Sequence, residues 1–535
     1  MTNLMTRLTA WLRRADSDQS RDTPRRGVIP EDEKKRVADA AFDAGKAAFQ
    51  AKDYAVAIDR FRTVVELRHD DADAYNYLGL SYLEQGSLDD AADCFLFALH
   101  HRPQFAQALY NMALVAQQRA DFDEAVACLE QAIELKPDFA AAHNNLGYFL
   151  SRDLADFERG AWHIREALRL APNDTDALCN YSMVLIQEGR SEEALALCGQ
   201  LLAIHPDLHE ARLNRALAAL KLGRFAEAWP DYEARKLTRS NYLPRALPLP
   251  EWRGQVLRSR RLLVYAEQGL GDQIMFASCL PDLLPRAGGC VVECAPPLVR
   301  IFRRSFPAAR IEPQAHDDVM LSSLVQAARF DYQVAIGSLP GFFRKNWSDF
   351  PRHDGYLRAD AARTAYWSDR LRILGPSLKI GISWFGGAIS TRRDARSTRL
   401  QDWLPVLSQG SCSFVSLQYG ECRAELEALQ QSAGLQVHHW QEAIDDYDET
   451  AALVSALDLV ISVQTAVVHL AGALGRPAWV LVPLVPEWRY LQSSDSMPWY
   501  PSLRLFRRRS PGPWQSLIAE VAAELAQQCK TEHAG

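Results

Sequence analysis

The chain predicts an all-α repeat solenoid followed by an α/β module of two doubly wound halves. Three observations carry this expectation. A small residue recurs about every 34 positions through the first half, the helical period stops after Arg239, and short apolar runs alternating with helical patterns fill the remainder.

The N-terminus comes first. Within 1–14, Leu4, Met5, Leu8, Trp11 and Leu12 alternate with Arg7, Arg13 and Arg14, a short basic amphipathic pattern that reads as a frayed leader rather than a signal peptide. Residues 15–30 are polar and charged and read as a linker, so 1–30 is expected to be flexible.

Residues 31–237 carry about six repeats, and the period identifies them as tetratricopeptide helix pairs. The first small position holds Gly45, Gly79, Ala113, Gly147, Ser182 and Ala216. A second holds Ala57, Ala91, Ala125, Gly160, Ala194 and Ala228, where paired helices must cross closely. Pro103, Pro137, Pro172 and Pro206 close four of the units, because proline cannot continue a helix. Such stacks offer a concave face to an extended protein or peptide partner. Two positions before the first small residue stand Asn111, Asn145, Asn180 and Asn214. An asparagine both donates to and accepts from a peptide backbone, so this ladder is the candidate partner-binding surface. The other reading, that Asn is simply the usual residue at this repeat position, stays open.

Past residue 238 the dipeptides Leu243-Pro244, Leu247-Pro248 and Leu249-Pro250 mark an extended connection. Strands are expected at 262–266, 290–294, 332–336, 379–384, 414–418, 459–463 and 478–483, separated by helical patterns. A Leu374-Gly375-Pro376 break divides this region into halves over 238–375 and 376–535. Two such halves place a ligand cleft between the carboxyl ends of their strands.

Composition excludes several function classes. With 60 Lys plus Arg against 67 Asp plus Glu, and a formal charge of −7, there is no basic footprint for nucleic acid. No apolar run reaches the ~18 residues of a membrane span. The ten cysteines form no C-x-x-C pair and lack histidines at zinc spacing, which points to a reducing cytoplasm and to no metal site.

Two segments carry candidate chemistry. Glu267-Gln268-Gly269-Leu270-Gly271-Asp272 follows a strand and opens a helix, a glycine turn built for close approach to a polar or anionic ligand. Packing alone also explains such a turn, and Asp272 can equally cap its helix. In the second half the strand over 459–463 leads through Gln464-Thr465-Ala466 into a helix of small residues, whose first N–H groups suit a diphosphate.

The run over 462–477, together with Gly271-Asp272, resembles the heptosyltransferase type of bacterial glycosyltransferase, which has the two-Rossmann GT-B fold. Repeats followed by such a domain resemble the O-linked N-acetylglucosamine transferases in arrangement. Trp488-Arg489-Tyr490 and Ser496-Met497-Pro498-Trp499-Tyr500-Pro501 look like segments of bacterial repeat proteins that end in a heptosyltransferase-like domain, a likeness spanning about 31–530. The resemblance implies metal-independent transfer from a nucleotide-sugar, which is a substrate rather than a cofactor. It implies Asp272 as the base that deprotonates an acceptor hydroxyl. Gly271, Arg396, Ser397, Glu421, Gln464, Thr465, Ala466 and His469 are then the donor-binding candidates. Arg392, Arg393 and Arg399 are alternatives that can equally be solvated, and His469 can equally be a packing residue. Relatives frequently carry aspartate where this chain has Gln464, so a charge is missing there. The rival expectation is an adaptor or nucleotide sensor that keeps the fold without the chemistry.

Overall fold

The computed structural model describes residues 30–152, 156–238, 249–314, 330–386, 393–510 and 512–533. The expected leader, apart from Pro30, lies outside these residues, as do most of the extended connection, Arg392 and the side chain of Arg393. By compactness the chain divides into two units, Met1–Tyr181 and Ser182–Gly535.

The first unit is a succession of antiparallel helix pairs: α1 (Glu31–Gln50), α2 (Tyr54–Leu67), α3 (Ala72–Glu84), α4 (Leu88–His101), α5 (Ala106–Gln118), α6 (Phe122–Leu135), α7 (Ala140–Arg152) and α8 (Phe157–Leu170), with α9 (Thr175–Gln187) crossing the division. These are tetratricopeptide repeats. Asp53, Asp71, Asp121 and Asp156 each cap a helix start by accepting a backbone N–H three residues on. Pro103, Pro137 and Pro172 each stand two residues past a helix end. The small positions are enforced sterically. A Cβ on Gly79 would lie 2.6 Å from the Phe95 ring, and one on Gly147 would lie 2.7 Å from the Gly160 carbonyl.

One polar pair sits between α7 and α8. His143 Nδ1 and His163 Nδ1 are 2.9 Å apart, while His143 Nε2 is 3.1 Å from the Pro137 carbonyl. A carbonyl only accepts, so His143 carries its proton on Nε2 and receives the His163 N–H on Nδ1. Burial, then the neighbouring His143 and Arg159, push His163 down to about 4.

The second unit begins with the end of α9 and continues through α10 (Ser191–Ile204), α11 (His209–Lys221) and α12 (Phe225–Tyr232). Two parallel sheets follow. The first has order β3-β2-β1-β4, with β1 (Arg261–Tyr265), β2 (Gly289–Cys294), β3 (Arg310–Pro313) and β4 (Tyr332–Ala335). The second has order β10-β9-β8-β5-β6-β7, with β5 (Leu378–Ser383), β6 (Cys412–Ser416), β7 (Val437–His438), β8 (Leu459–Val463), β9 (Ala478–Val482) and β10 (Leu503–Arg507). The seven expected strands are present, displaced by two residues at most. The three additional ones, β3, β7 and β10, lie at sheet edges. Central strands β8 and β9 are buried throughout, as parallel sheets covered on both faces require.

The chain pattern changes near residue 238, yet the last repeat packs as part of the α/β body. Trp229 on α12 meets Trp488 and Trp499 edge-on at 6.1 and 6.5 Å and donates its indole N–H to the Arg344 carbonyl at 2.7 Å. Arg235, just past α12, forms a buried ion pair with Glu267 at the end of β1, each side chain being only 4% exposed. The pair is well satisfied. Arg235 also donates to the Tyr232 carbonyl, Glu233 and Ser338, while Glu267 accepts the Gly337 N–H at 3.0 Å. Among the described residues no helix is long and apolar enough to cross a membrane.

Candidate active site

The site is built where the carboxyl ends of the two sheets meet. After β1 the chain turns through Gln268, whose φ of +62° is left-handed, and enters α13 (Leu270–Ala277) at Gly269. That strained turn is held from two sides. The Gln268 side chain bonds the Tyr232 hydroxyl at 2.9 Å, and Gln273 donates to the Gln268 carbonyl while accepting the Ala295 N–H. The first turn of α13 therefore has a fixed position, and Asp272 stands in it.

Opposite, β8 passes through Gln464 and Thr465 into α15 (Ala466–Ala473), with α14 (Tyr447–Ala456) alongside. Thr465 is the N-cap residue, but its hydroxyl pairs with Ser462 at 3.1 Å and does not cap the helix. This leaves the start of α15 without a side-chain cap, and Thr465, Ala466 and Val467 line the cavity there. Gln418 ties the ends of β5 and β6 together. Its Oε1 accepts from the Ser383 hydroxyl and the Trp384 and Phe385 N–H groups, and its Nε2 donates to the Phe385 and Tyr419 carbonyls.

These elements enclose a cavity of about 540 Å³. Its walls include Gly269 to Asp272, Arg396, Tyr419, Tyr447, Gln464 to Val467, His469, Glu487, Arg489 and Tyr490. Of the residues expected from sequence, Gly271, Asp272, Arg396, Gln464, Thr465, Ala466 and His469 are brought together here. Gly271 packs closely on α15: a Cβ there would lie 3.0 Å from His469 Cδ2, so the ring would have to give by a few tenths of an ångström.

Two donor-side candidates lie elsewhere. Ser397 accepts the Gly386 N–H at 3.3 Å and serves the loop after β5, while Glu421 lines an adjoining 310 Å³ depression with His439, Gln441 and Asp445. Arg399 is exposed and paired with Asp402. The asparagines of the ladder differ from one another in burial. Asn111 and Asn214 are buried and donate to Asn76 and Ser182 at 2.8 and 2.9 Å, so they belong to the interior of their stacks and not to an open face. Asn145 and Asn180 are half-buried and spend a donor on Tyr110 and Asn144.

Sequence reasoning gave no role to Arg489. It arrives from the loop between β9 and β10, and its Nε donates to Asp272 Oδ1 at 2.6 Å. The side chains of Arg489 and Asp272 are 17% and 15% exposed. Burial opposes the charge on Arg489, but Asp272 and then Glu487 hold its guanidinium protonated, above the ordinary range. His469 is 5% exposed. Burial, followed by the positive Arg489 and Arg396, pushes its pKa down to about 3, so the imidazole is uncharged at neutral pH. Gln464 is 2% exposed, and neither of its amide atoms has a partner among the described residues. An orphaned amide on a cavity wall costs free energy that a ligand with both a donor and an acceptor would recover. Among the described residues no cluster of three or more His, Cys, Asp or Glu could hold a metal ion.

Comparison with known proteins matches two family models, described as TPR repeat, over 118–152, and tetratricopeptide repeat, over 42–108 and 184–244. The chain is similar to Protein FlbA of Caulobacter vibrioides, with 35% identity over 403 residues, covering 71% of this chain and 66% of FlbA. A weaker likeness, 29% over 199 residues, is to Protein O-mannosyl-transferase Tmtc3 of Drosophila melanogaster and covers 36% of this chain. The chain thus spans just under two thirds of FlbA and 21% of Tmtc3. Among solved structures, Pseudomonas aeruginosa pilF is similar at 18% identity and TM-score 0.34, covering 39% of this chain and 95% of that one. MamA is similar at 18% identity and TM-score 0.28, covering 32% of this chain and 92% of that one.

Proposed function

We propose that the second unit is a glycosyltransferase of the GT-B kind, which moves a sugar from a nucleoside diphosphate to an acceptor hydroxyl, and that the repeats recruit a protein partner or acceptor. The observation that supports it most is the facing of Asp272, on the first turn of α13, and the uncapped start of α15 across one cavity with Arg396 and Arg489 in its wall. The strand orders support it as well. Counted from each half's first strand they are 3-2-1-4 and 3-2-1-4-5-6, the order of doubly wound nucleotide-binding sheets. The weak likeness to an O-mannosyl-transferase points the same way.

On this reading Asp272 takes the proton of the acceptor hydroxyl as its oxygen attacks the anomeric carbon. The bond from that carbon to the diphosphate oxygen breaks, and its electron pair stays on the leaving group. The charge that builds there is met by Arg396 and the first N–H groups of α15. Arg489 joins them by exchanging the Asp272 carboxylate for a phosphate, which at the same moment frees the base. The adjoining depression around Glu421 and His439 would take the nucleoside.

A second reading is favoured by the same ion pair. With Asp272 occupied by Arg489 and a neutral Gln464 at the cavity wall, the unit could bind a nucleotide without turning it over and act as an adaptor or sensor. A calorimetric panel of nucleotide-sugars on the full chain separates the readings. A transferase binds one member of the panel, and Asp272→Asn keeps that binding and loses transfer. Binding with no transfer to any hydroxyl acceptor supports the sensor, and no binding at all supports the adaptor.

A further inference from the structure

His469 has two nitrogens in different surroundings. Nδ1 is 3.1 Å from the Tyr500 hydroxyl, while Nε2 has no protein partner among the described residues, and the residue lines the cavity. Tyr500 is fully buried and seated against Gly472, one turn along α15, where a Cβ would collide with its ring. Beyond it Tyr356 stacks at 6.4 Å and 17°, with the two hydroxyls 3.5 Å apart.

The proton positions follow by elimination. A phenol has one proton, and that of Tyr356 goes to the Ile274 carbonyl at 2.7 Å, an acceptor only. The Tyr500 proton then has two possible destinations, Tyr356 Oη at 3.5 Å or His469 Nδ1 at 3.1 Å. Hydrogen bonds from hydroxyls weaken steeply at the longer distance, so Tyr500 donates to Nδ1. An uncharged imidazole that accepts on Nδ1 carries its hydrogen on Nε2.

We propose that Tyr500 is a positioning residue that fixes His469 as the Nε2–H tautomer, making the histidine an uncharged hydrogen-bond donor to an anionic oxygen of the cavity's ligand. The identity of that oxygen as one on the leaving diphosphate rests on the transferase reading above; the tautomer does not. His469 is thereby excluded as the base, since its free nitrogen has no lone pair to offer, and proton removal stays with Asp272 on the other wall. Arg396 and Arg489, which face the ring from the loop after β5 and the loop after β9, favour the uncharged form, and no carboxylate is hydrogen-bonded to it among the described residues.

The test is nitrogen-15 NMR of the full chain, with the His469 signals assigned by their loss in His469→Gln. The expected spectrum has a protonated Nε2 and an unprotonated, hydrogen-bonded Nδ1, unchanged from pH 8 to pH 5. In Tyr500→Phe, which removes the Nδ1 partner and keeps the ring, both nitrogens should move toward the averaged shifts of exchanging tautomers. A proton on Nδ1, an imidazolium at neutral pH, or a spectrum indifferent to Tyr500→Phe would each overturn the proposal. The donor role is read by calorimetry with UDP, GDP, CDP and ADP. His469→Ala should weaken the diphosphate that binds on the order of tenfold. His469→Gln, which restores an N–H near the place of Nε2, should recover most of that loss, and equal losses in the two variants would sink the donor role. If none of the four binds the unaltered protein, the transferase reading fails, while the spectrum still decides the tautomer.

Discussion

Arg489 donates its Nε–H to Asp272 Oδ1 across 2.6 Å, joining the loop after β9 to the first turn of α13. The two residues lie 217 positions apart in the chain, and both line the cavity. Arg489→Met should therefore act twice. It leaves a mostly buried carboxylate unpaired, at a cost of about 3 kcal/mol read from thermal unfolding. It also weakens diphosphate binding in calorimetry if the guanidinium exchanges partners as proposed. In a double-mutant cycle with Asp272→Asn the stability losses should be clearly less than additive, and strict additivity would mean that the pair does not form in solution.

The buried Arg235–Glu267 pair sets where the chain can be cut. A fragment over 182–535 keeps both partners and should fold, whereas one over 240–535 loses Arg235, Tyr232 and Trp229 and should be poorly soluble with broad unfolding. In the full chain, Arg235→Met strands Glu267 and should cost about 3–5 kcal/mol, and adding Glu267→Gln should recover part of it. Cooperative unfolding of the shorter fragment would contradict this account.

The His143–His163 contact makes the first unit acid-sensitive. His163 falls from 6.5 in the unfolded chain to about 4 in the folded one, so between those values the unfolded chain holds more protons. Stability from this group is complete above pH 6.5 and is lost as pH falls toward 4. Circular dichroism melts of the unaltered protein and His163→Gln should diverge above pH 6.5 and converge on acidification. Parallel curves would show that His163 does not titrate in this range.

The asparagines separate by burial. Asn111→Ala leaves Asn76 without its buried partner and should cost about 1–2 kcal/mol, while Asn145→Ala, at a half-buried site, should cost about 1 kcal/mol or less. A partner that uses the ladder should lose affinity with Asn145→Ala and Asn180→Ala combined, in excess of what Asn111→Ala causes. A pull-down that compares the double variant with Asn111→Ala checks this, and equal recovery from the two would count against the ladder.

The legible parts of the chain were those with a local period. Recurring small residues announced the repeats, and runs such as Leu459–Val463 announced buried strands, because burial on both faces demands continuous apolar sequence. Strand β3, Arg-Ile-Glu-Pro, and β10, Leu-Arg-Leu-Phe-Arg, were missed because edge strands tolerate charge and proline. At the site, the turns after β1 and β8 were legible since each follows its strand directly. Arg489 was not, for an ion pair between a helix turn and a loop 217 residues away leaves no spacing to read. Ser397 and Glu421 stand close to the site along the chain, where Ser397 bonds the Gly386 N–H and Glu421 lines the adjoining depression.

The Arg235–Glu267 pair also has a bearing on how such chains can diversify. Repeats are gained and lost by recombination between similar segments, and most of this array is free to change length in that way. The final helix pair is not interchangeable with the others. Any exchange that replaced Arg235 would bury a lone carboxylate beside the glycine turn that follows β1, so crossovers that survive selection should fall upstream of it.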